Sequence, residues 1–500
     1  MSNSPSLNPQ PSTLNSQLCH SISSFIRWLD RIGCESYDPY DLWGTRYGLF
    51  ARRLYYQKNP FGLPLIAPIV AIETLCPSLR HFFVRKQRFA TADAQLLLAF
   101  LNLHALGGTG DSPVPAGVSP GGSSQPSTLN SQPSTLSPLR LDRGEGKGEV
   151  SIPASESGST GDSPVPAGDS PGGSSQLSTL NSQHLRRARD LASDLLKISI
   201  PGYSGRCWGY PFDWQNNRGL WKRNTPFITS TPYCYEAFAK LSDATGEAKY
   251  LEVAESAARF VFRDLNDTSV GPESAAASYG PLDNTYVINA SAYRAFVLFD
   301  AARRFGTVEY EKKAQANLNF ILESQRPDGS WLYALNSPAE AFIDHFHTCF
   351  VLKNLFKINR YLNSERVDQS LQKGYAWYRR KLFDQDGIPK SFAVQPRTQL
   401  VRLEMYNFAE AITLGALLRD HIPEAFSEAQ RLAALLIDRY QLADGHFVTR
   451  IFLGGLRHTF PFLRWPQAQL FYALTNLLYA MRPGIEAREP LSASTGERVG

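Results

Sequence analysis

The chain has 500 residues, 43% of them hydrophobic and 12% aromatic, with 51 Lys or Arg against 46 Asp or Glu for a net charge of +5. So mild a balance gives no reason to expect nucleic acid or an anionic membrane as a partner, and the apolar share can fill one large core. The N-terminus has no basic stretch leading into an apolar one, and the longest apolar runs, residues 65–72 and 94–101, are far short of a bilayer span. A cytoplasmic protein without membrane insertion is expected.

In chain order, the first feature is a repeat. Residues 10–17 read QPSTLNSQ, and the phrase returns inside two near-identical copies, Thr109–Gln132 and Thr160–Gln183, which differ only at Val118/Asp169 and Pro126/Leu177. Folded repeats diverge while keeping apolar positions, whereas these copies are rich in Pro, Gly and Ser and have no hydrophobic period. Residues 1–17 are therefore expected to form a disordered tail, 107–183 a disordered insertion and 483–500 a second tail. One domain is left, made of 18–106 and 184–482.

Apolar residues at helical spacing then predict paired helices. Thr91–Leu106 pairs with His184–Ile198, Pro232–Thr245 with Ala248–Leu265, and Tyr286–Phe305 with Val308–Ser324. Ala339–Tyr361 pairs with Glu365–Phe383, and Val401–Arg419 with Pro423–Tyr440, which leaves Phe460–Met481 as a first helix alone. Either Pro64–Ser78 or Ser21–Ile32 can supply its partner. Short turns within pairs, with Gly246 and Gly306 placed for left-handed caps, make the helices antiparallel. Once the insertion is set aside, first helices recur about every sixty residues, longer than common two-helix solenoids. The fold expected is all-α, an (α/α)6 toroid of six helical hairpins closed by the N-terminus.

The extra length lies in the connections from each second helix to the next first helix, so all of these emerge at one end of the ring. They carry YDPYDLWGTRYG (37–48), YSGRCWGYPFDWQ (203–215), VGPESAAASYGPLDN (270–284) and QRPDGSWLY (325–333), mixtures of Trp, Tyr and Asp. Aromatic faces stack on sugar C–H faces while carboxylates and amides bond hydroxyls, so a glycan partner is expected at this mouth. Six scattered cysteines show neither zinc-like spacing nor paired motifs, and no motif calls for a metal, nucleotide or other cofactor.

The phrases YDPYD (37–41), GYSGRCWGYPFDWQ (202–215) and QRPDGSW (325–331) resemble those of bacterial polysaccharide-biosynthesis proteins of the VpsJ type, over residues 21–482. That resemblance implies a six-hairpin glycosidase-like architecture and a role in exopolysaccharide production. QRPDGSW also resembles the QW repeat of squalene and terpene cyclases, without the Asp-rich cluster such enzymes carry.

Four residues are candidate catalysts. His345 lies in FIDHFHT near a helix start, Asp213 sits between Phe212 and Trp214, and Tyr406 and Glu410 share a helix. The substrate-binding candidates are Tyr37, Asp38, Asp41, Trp43 and Arg46 in the first connection, and Tyr203, Trp208, Tyr210, Trp214 and Gln215 in the second. Glu236, Asn284, Trp331, His347, Asn407 and Arg464 complete the set. Each has a structural alternative: Trp331 packing between hairpins, Asp213 bonding loop amides, and either histidine as a plain interfacial residue. Hydrolysis needs two carboxylates at a set separation, whereas a lyase or epimerase needs a base such as His345 or Tyr406 with Arg46 or Arg464. A binding protein without catalysis fits the same residues.

Overall fold

The computed structural model describes residues 11–107, 172–395 and 400–482. In chain order the helices are α1 (Pro11–Ile32), α2 (Arg46–Tyr56), α3 (Gly62–Leu75), α4 (Ala90–Gly107), α5 (Gly172–Lys197), α6 (Thr231–Thr245) and α7 (Ala248–Arg263). They continue with α8 (Ile288–Phe305), α9 (Val308–Glu323), α10 (His345–Leu362), α11 (Glu365–Lys381), α12 (Met405–Leu417), α13 (Pro423–Tyr440) and α14 (Ala468–Ala480). Helices α4, α6, α8, α10, α12 and α14 each pack on the next, and α14 returns to α4, which closes an inner ring. Outside it, α5, α7, α9, α11 and α13 pair with the inner helix before them, and α1 packs against α14 and α13. The fold is an (α/α)6 toroid.

Sequence explains the two layers. Inner α4 is buried without a break from Ala90 to Leu101, because it packs between both inner neighbours and its outer partner. Outer α7 buries one stripe, Tyr250, Ala254, Ala257, Ala258 and Val261, and turns Lys249, Glu252 and Glu255 away from the core. Gly246 and Gly306 adopt the expected left-handed φ of 70° and 67°, and Asn363 takes the same role at 48° in the α10–α11 hairpin.

Several boundaries differ from expectation. Helix α1 begins at Pro11, so residues 11–17 are not a loose tail: Leu14 and Leu18 are fully buried, in register with Ile22, Phe25 and Leu29. Their helical spacing runs out of the repeat phrase into ordinary sequence, and composition alone hid it. It is α1, not Pro64–Ser78, that closes the ring, and α3 stands outside it. Residues 107 and 172–183, expected to belong to the insertion, are helical, since α4 runs to Gly107 and α5 starts at Gly172. The expectations for 1–10, 108–171 and 483–500 lie outside the described residues. Some inner helices start later than their apolar pattern suggested. Pro461 and Pro466 hold α14 back to Ala468, and Val401–Glu404 is a strand, β7 below, because it pairs with the next connection.

The connections entering the inner helices carry the small sheets. Strands β1 (Trp214–Asn216) and β2 (Gly219–Trp221) form one hairpin, and β3 (Asp267–Gly271) and β4 (Ser274–Ala277) another. Strand β5 (Ile343–Asp344) pairs with β6 (Phe392–Val394), and β7 (Val401–Glu404) with β8 (Arg450–Phe452) and then β9 (Arg457–His458). All gather at the N-terminal ends of the inner helices and build the mouth. Among the described residues no helix is long and apolar enough to cross a membrane.

Candidate functional site

The mouth is walled by aromatic rings that stay partly exposed in a chain whose other large side chains are mostly buried. Trp214 on β1 lies 6.4 Å from Tyr40, 5.8 Å from Tyr210 and 6.5 Å from Tyr279. Across from them, Tyr333 stacks on Phe342 at 4.7 Å and approaches His347 at 4.5 Å. Trp465 lies flat on Tyr406, with centroids 3.9 Å apart and planes 2° apart, and Phe346 meets both rings edge-on. Arg464 spans the wall with its guanidinium 4.7 Å over the Tyr210 ring, and Asp38 holds it by two bonds, one of 2.8 Å. Planar hydrophobic faces edged with hydroxyl and guanidinium donors are what a pyranose ring and its hydroxyls require.

His347 is the chemically distinctive group. It sits in the first turn of α10, where Asp344 caps the helix by accepting from the His347 amide at 3.1 Å. The same carboxylate meets the ring Nδ1 at 2.7 Å. A carboxylate only accepts, so Nδ1 carries the proton and the lone pair is left on Nε2. No described residue bonds Nε2. Its neighbours Tyr333, Phe342, Phe346 and Phe350 are aromatic, which shields the imidazole while the mouth stays open. Asn289 shares a small pocket with Tyr333, Asp344 and His347; it is buried, yet both polar atoms of its amide lack partners among the described residues. That is unspent hydrogen-bonding capacity beside the imidazole.

Below the mouth the ring axis is filled by polar side chains rather than left hollow. The Tyr233 hydroxyl meets that of Tyr293 at 2.7 Å, and Tyr406 faces the pair from across the ring. Deeper, Lys353 of α10 meets Glu410 of α12 at 2.5 Å. Lys357 reaches across to Glu236 of α6 at 2.6 Å, and Lys240 meets the same carboxylate at 3.2 Å. Burial works against the charge on Glu236, but the two lysines hold its pKa down to about 2. Every carboxylate of this column is thus tied to an ammonium.

Of the expected catalytic residues, Tyr406 lies in the cavity floor and Glu410 in the axial column. His345 does not face the mouth. It is fully buried, with Nε2 2.8 Å from the Tyr378 hydroxyl and Nδ1 3.2 Å from the Leu382 carbonyl, and burial pushes its pKa down to about 3. Two residues along the helix point to different faces, and α11 occupies the one His345 takes. Asp213 is also displaced: it accepts from the Arg223 amide at 2.7 Å and from Lys222 at 3.2 Å, bracing the β1–β2 hairpin.

The binding candidates divide likewise. Tyr210, Trp214, His347 and Arg464 line the mouth, with Asp38 behind Arg464. Asn407 is buried, donating to Ser391 at 3.3 Å, and Glu236 belongs to the axis. Tyr37 packs 5.8 Å from Phe460, and Asp41 pairs with buried Arg80 at 2.8 Å, burial raising its pKa to about 6. Trp43 lies under Arg52 at 4.6 Å, Arg46 opens α2 in solvent, and Asn284 is exposed. Tyr203 packs on Phe260, Gln215 bonds its neighbour's carbonyl, and the Trp208 indole bonds the Leu195 carbonyl at 2.8 Å in the core. Trp331 packs between hairpins: its indole bonds the Ile321 carbonyl at 2.9 Å, over Gly374, where a Cβ would stand 2.5 Å from the ring.

Tyr40, Tyr279, Tyr333, Phe346, Trp465 and Asn289 were not singled out by sequence. Neither was Arg218, which pairs with Glu340 and lines a cleft of about 400 Å³ between the β1–β2 hairpin and residues 282–285 and 336–337. Tyr40, Tyr279 and Tyr333 stand inside the connection sequences quoted above and Phe346 inside FIDHFHT, so their aromatic context was a usable signal. Trp465, Asn289 and Arg218 had none.

No family model and no curated protein matches the chain. Among solved structures, it is similar to a sugar epimerase from a ruminal bacterium, with 10% identity, a TM-score of 0.51, and coverage of 80% of this chain and 88% of that one. A GH76 α-mannanase from Bacteroides thetaiotaomicron aligns at 12% identity and TM-score 0.46 over 60% of this chain and 80% of that one. A cellobiose 2-epimerase from Bacillus thermoamylovorans gives 11% and 0.46 over 60% and 82%. Likeness at such identities concerns the fold alone.

Proposed function

We propose that this chain is an enzyme that rearranges a sugar held in the mouth of the toroid by moving a proton at carbon, with His347 as the base. The observation that carries this reading is the Asp344–His347 pair, whose Nε2 is left without a partner inside a wall of half-exposed aromatic rings. An Nδ1 proton fixed by a carboxylate leaves the Nε2 lone pair free to take a proton from carbon. A C–H next to a sugar carbonyl or carboxylate gives its proton to Nε2, and the electron pair moves onto the oxygen. Arg464, whose guanidinium lies over the Tyr210 ring, is the wall cation suited to stabilise that oxygen. Return of the proton from Nε2 to the same face gives back the substrate, and protonation of the opposite face by a solvent water gives the epimer, the Nε2 proton then passing to solvent.

Hydrolysis fits these residues less well. It wants a protonated carboxylic acid opposite a second carboxylate. Here Asp38 is held by Arg464, Glu340 by Arg218, Glu404 by Arg450, and Glu410 by Lys353. The epimerase neighbour and the VpsJ-type resemblance agree with a sugar substrate, and the resemblance extends the proposal to cytoplasmic work in exopolysaccharide production. The test is to incubate the protein with a panel of reducing sugars, N-acylated sugars and uronic-acid oligosaccharides and follow products by NMR. Epimerised product from wild type and none from His347→Gln is expected. Release of monosaccharides at equal rates by both proteins would replace this reading with hydrolysis elsewhere in the mouth.

A further inference from the structure

The connection between α1 and α4 carries a surface the sugar chemistry does not use. Among the described residues, eight of the seventeen exposed large hydrophobic side chains fall within 47–83: Tyr47, Phe50, Phe61, Leu63, Leu75, Leu79, Phe82 and Phe83. Helix α3 reads GLPLIAPIVAIETL and is apolar on nearly every side. Its one charge, Glu73, turns inward onto the guanidinium of Arg80 at 2.5 Å, so the outward surface has none. Phe82 and Phe83 follow at 73% and 59% exposure, far above what an ordinary surface leaves uncovered in adjacent aromatics.

The charge around this patch has a single sign. Residues 46–88 hold eight Lys or Arg and one Glu, which exceeds the net +5 of the whole chain. Arg46, Arg53, Lys58, Arg85 and Lys86 are exposed, and none of them makes an ion pair among the described residues. The whole-chain balance therefore concealed a strongly basic, apolar-tipped lobe. We propose that this lobe docks the protein on a bilayer surface containing anionic phospholipid, with α3 and Phe82–Phe83 entering the interface and the five cations lying against the headgroups. Fourteen residues suit a helix that lies in an interface and are too few for one that crosses it.

Charge separates lipid from the other occupants. A second copy of this chain across a two-fold axis would bring the same five cations face to face. Headgroup phosphates neutralise them instead. The lobe emerges at the mouth end of the ring, and Arg52 of α2 covers Tyr40 at 5.4 Å, so docking would hold the mouth beside the bilayer. The inference stands independently of the reaction assigned to His347.

Full-length protein is sedimented with vesicles of phosphatidylcholine plus phosphatidylglycerol, and with phosphatidylcholine alone. Binding to the anionic vesicles, reversed by high salt, is expected. Arg85→Ser with Lys86→Ser should weaken it by roughly fivefold per cation, about twenty-fivefold together. Phe82→Ser with Phe83→Ser should weaken it by roughly tenfold or more per ring, with the far-UV melt unchanged because both are exposed. Wild type that ignores anionic vesicles overturns the proposal. So does vesicle binding by both variants at the wild-type level, or a wild-type dimer that the Phe82→Ser/Phe83→Ser variant loses while no vesicle is bound.

Discussion

Replacing Asp344 by Asn separates the chemistry of the mouth from its architecture. Asparagine caps a helix about as well as aspartate, so the bond from the His347 amide, 3.1 Å in the native protein, survives with the side-chain carbonyl as acceptor. The loss of a negative charge at the α10 N-terminus costs about 0.3–1 kcal/mol, a shift of roughly 2 °C or less for a domain of this size. The second bond is different. Once its oxygen accepts from the amide, the side chain turns its NH2 toward Nδ1, now 2.7 Å from a carboxylate oxygen. Nδ1 must then accept, the proton moves to Nε2, and the base is gone. General-base catalysis is worth about 10² to 10⁴ in rate, or roughly 3–5 kcal/mol of barrier. Turnover should therefore collapse while the melting temperature barely moves. The assay pairs product formation with calorimetry, and ¹⁵N-labelled histidine spectra report the tautomer without any substrate. Wild-type turnover in Asp344→Asn would refute the reasoning, as would an unchanged His347 tautomer.

Other consequences follow from the packing. Leu18→Ala removes a fully buried side chain from α1 and should cost about 2–5 kcal/mol in denaturant unfolding, whereas a loose N-terminal arm would make it silent. Arg464→Met leaves Asp38 buried and unpaired and should cost about 3–5 kcal/mol; adding Asp38→Leu should recover part of that loss. His345, with its pKa near 3 when folded against an ordinary value of 6.5, stays neutral where an unfolded chain takes up a proton. Stability should therefore fall as pH drops from 6.5 toward 3, by up to about 1.4 kcal/mol per pH unit for this group. His345→Gln should remove that share of the slope in pH-dependent unfolding and leave the like contribution of His458, also lowered to about 3.

The ring was legible because hairpins advertise themselves locally: Val253, Ala257, Phe260 and Val261 mark a face, and Gly246 marks the stop that precedes it. Helix starts were less so, since β7 exists only through pairing with β8, a partner some fifty residues away. At the mouth, residue type was readable and direction was not. The i, i+2 spacing of His345 and His347 told that they part, but only the packing of Tyr378 from α11 decides which is entombed. Asp213 and Trp331 took the structural roles open to them, the one bracing a hairpin and the other filling the space over Gly374. Trp465 became a wall residue by stacking on Tyr406, a contact between segments some sixty residues apart. The charge of the α2–α3 lobe was present in the sequence all along, averaged away in the net balance.

Hydrogen exchange from solvent tests the central claim most directly. In deuterated water, with a sugar that binds the mouth, wild-type protein should place deuterium on the carbon beside the carbonyl or carboxylate, and His347→Gln should place none. Deuterium uptake by His347→Gln at the wild-type rate, or sugar turnover by wild type that leaves every C–H undeuterated, would contradict it.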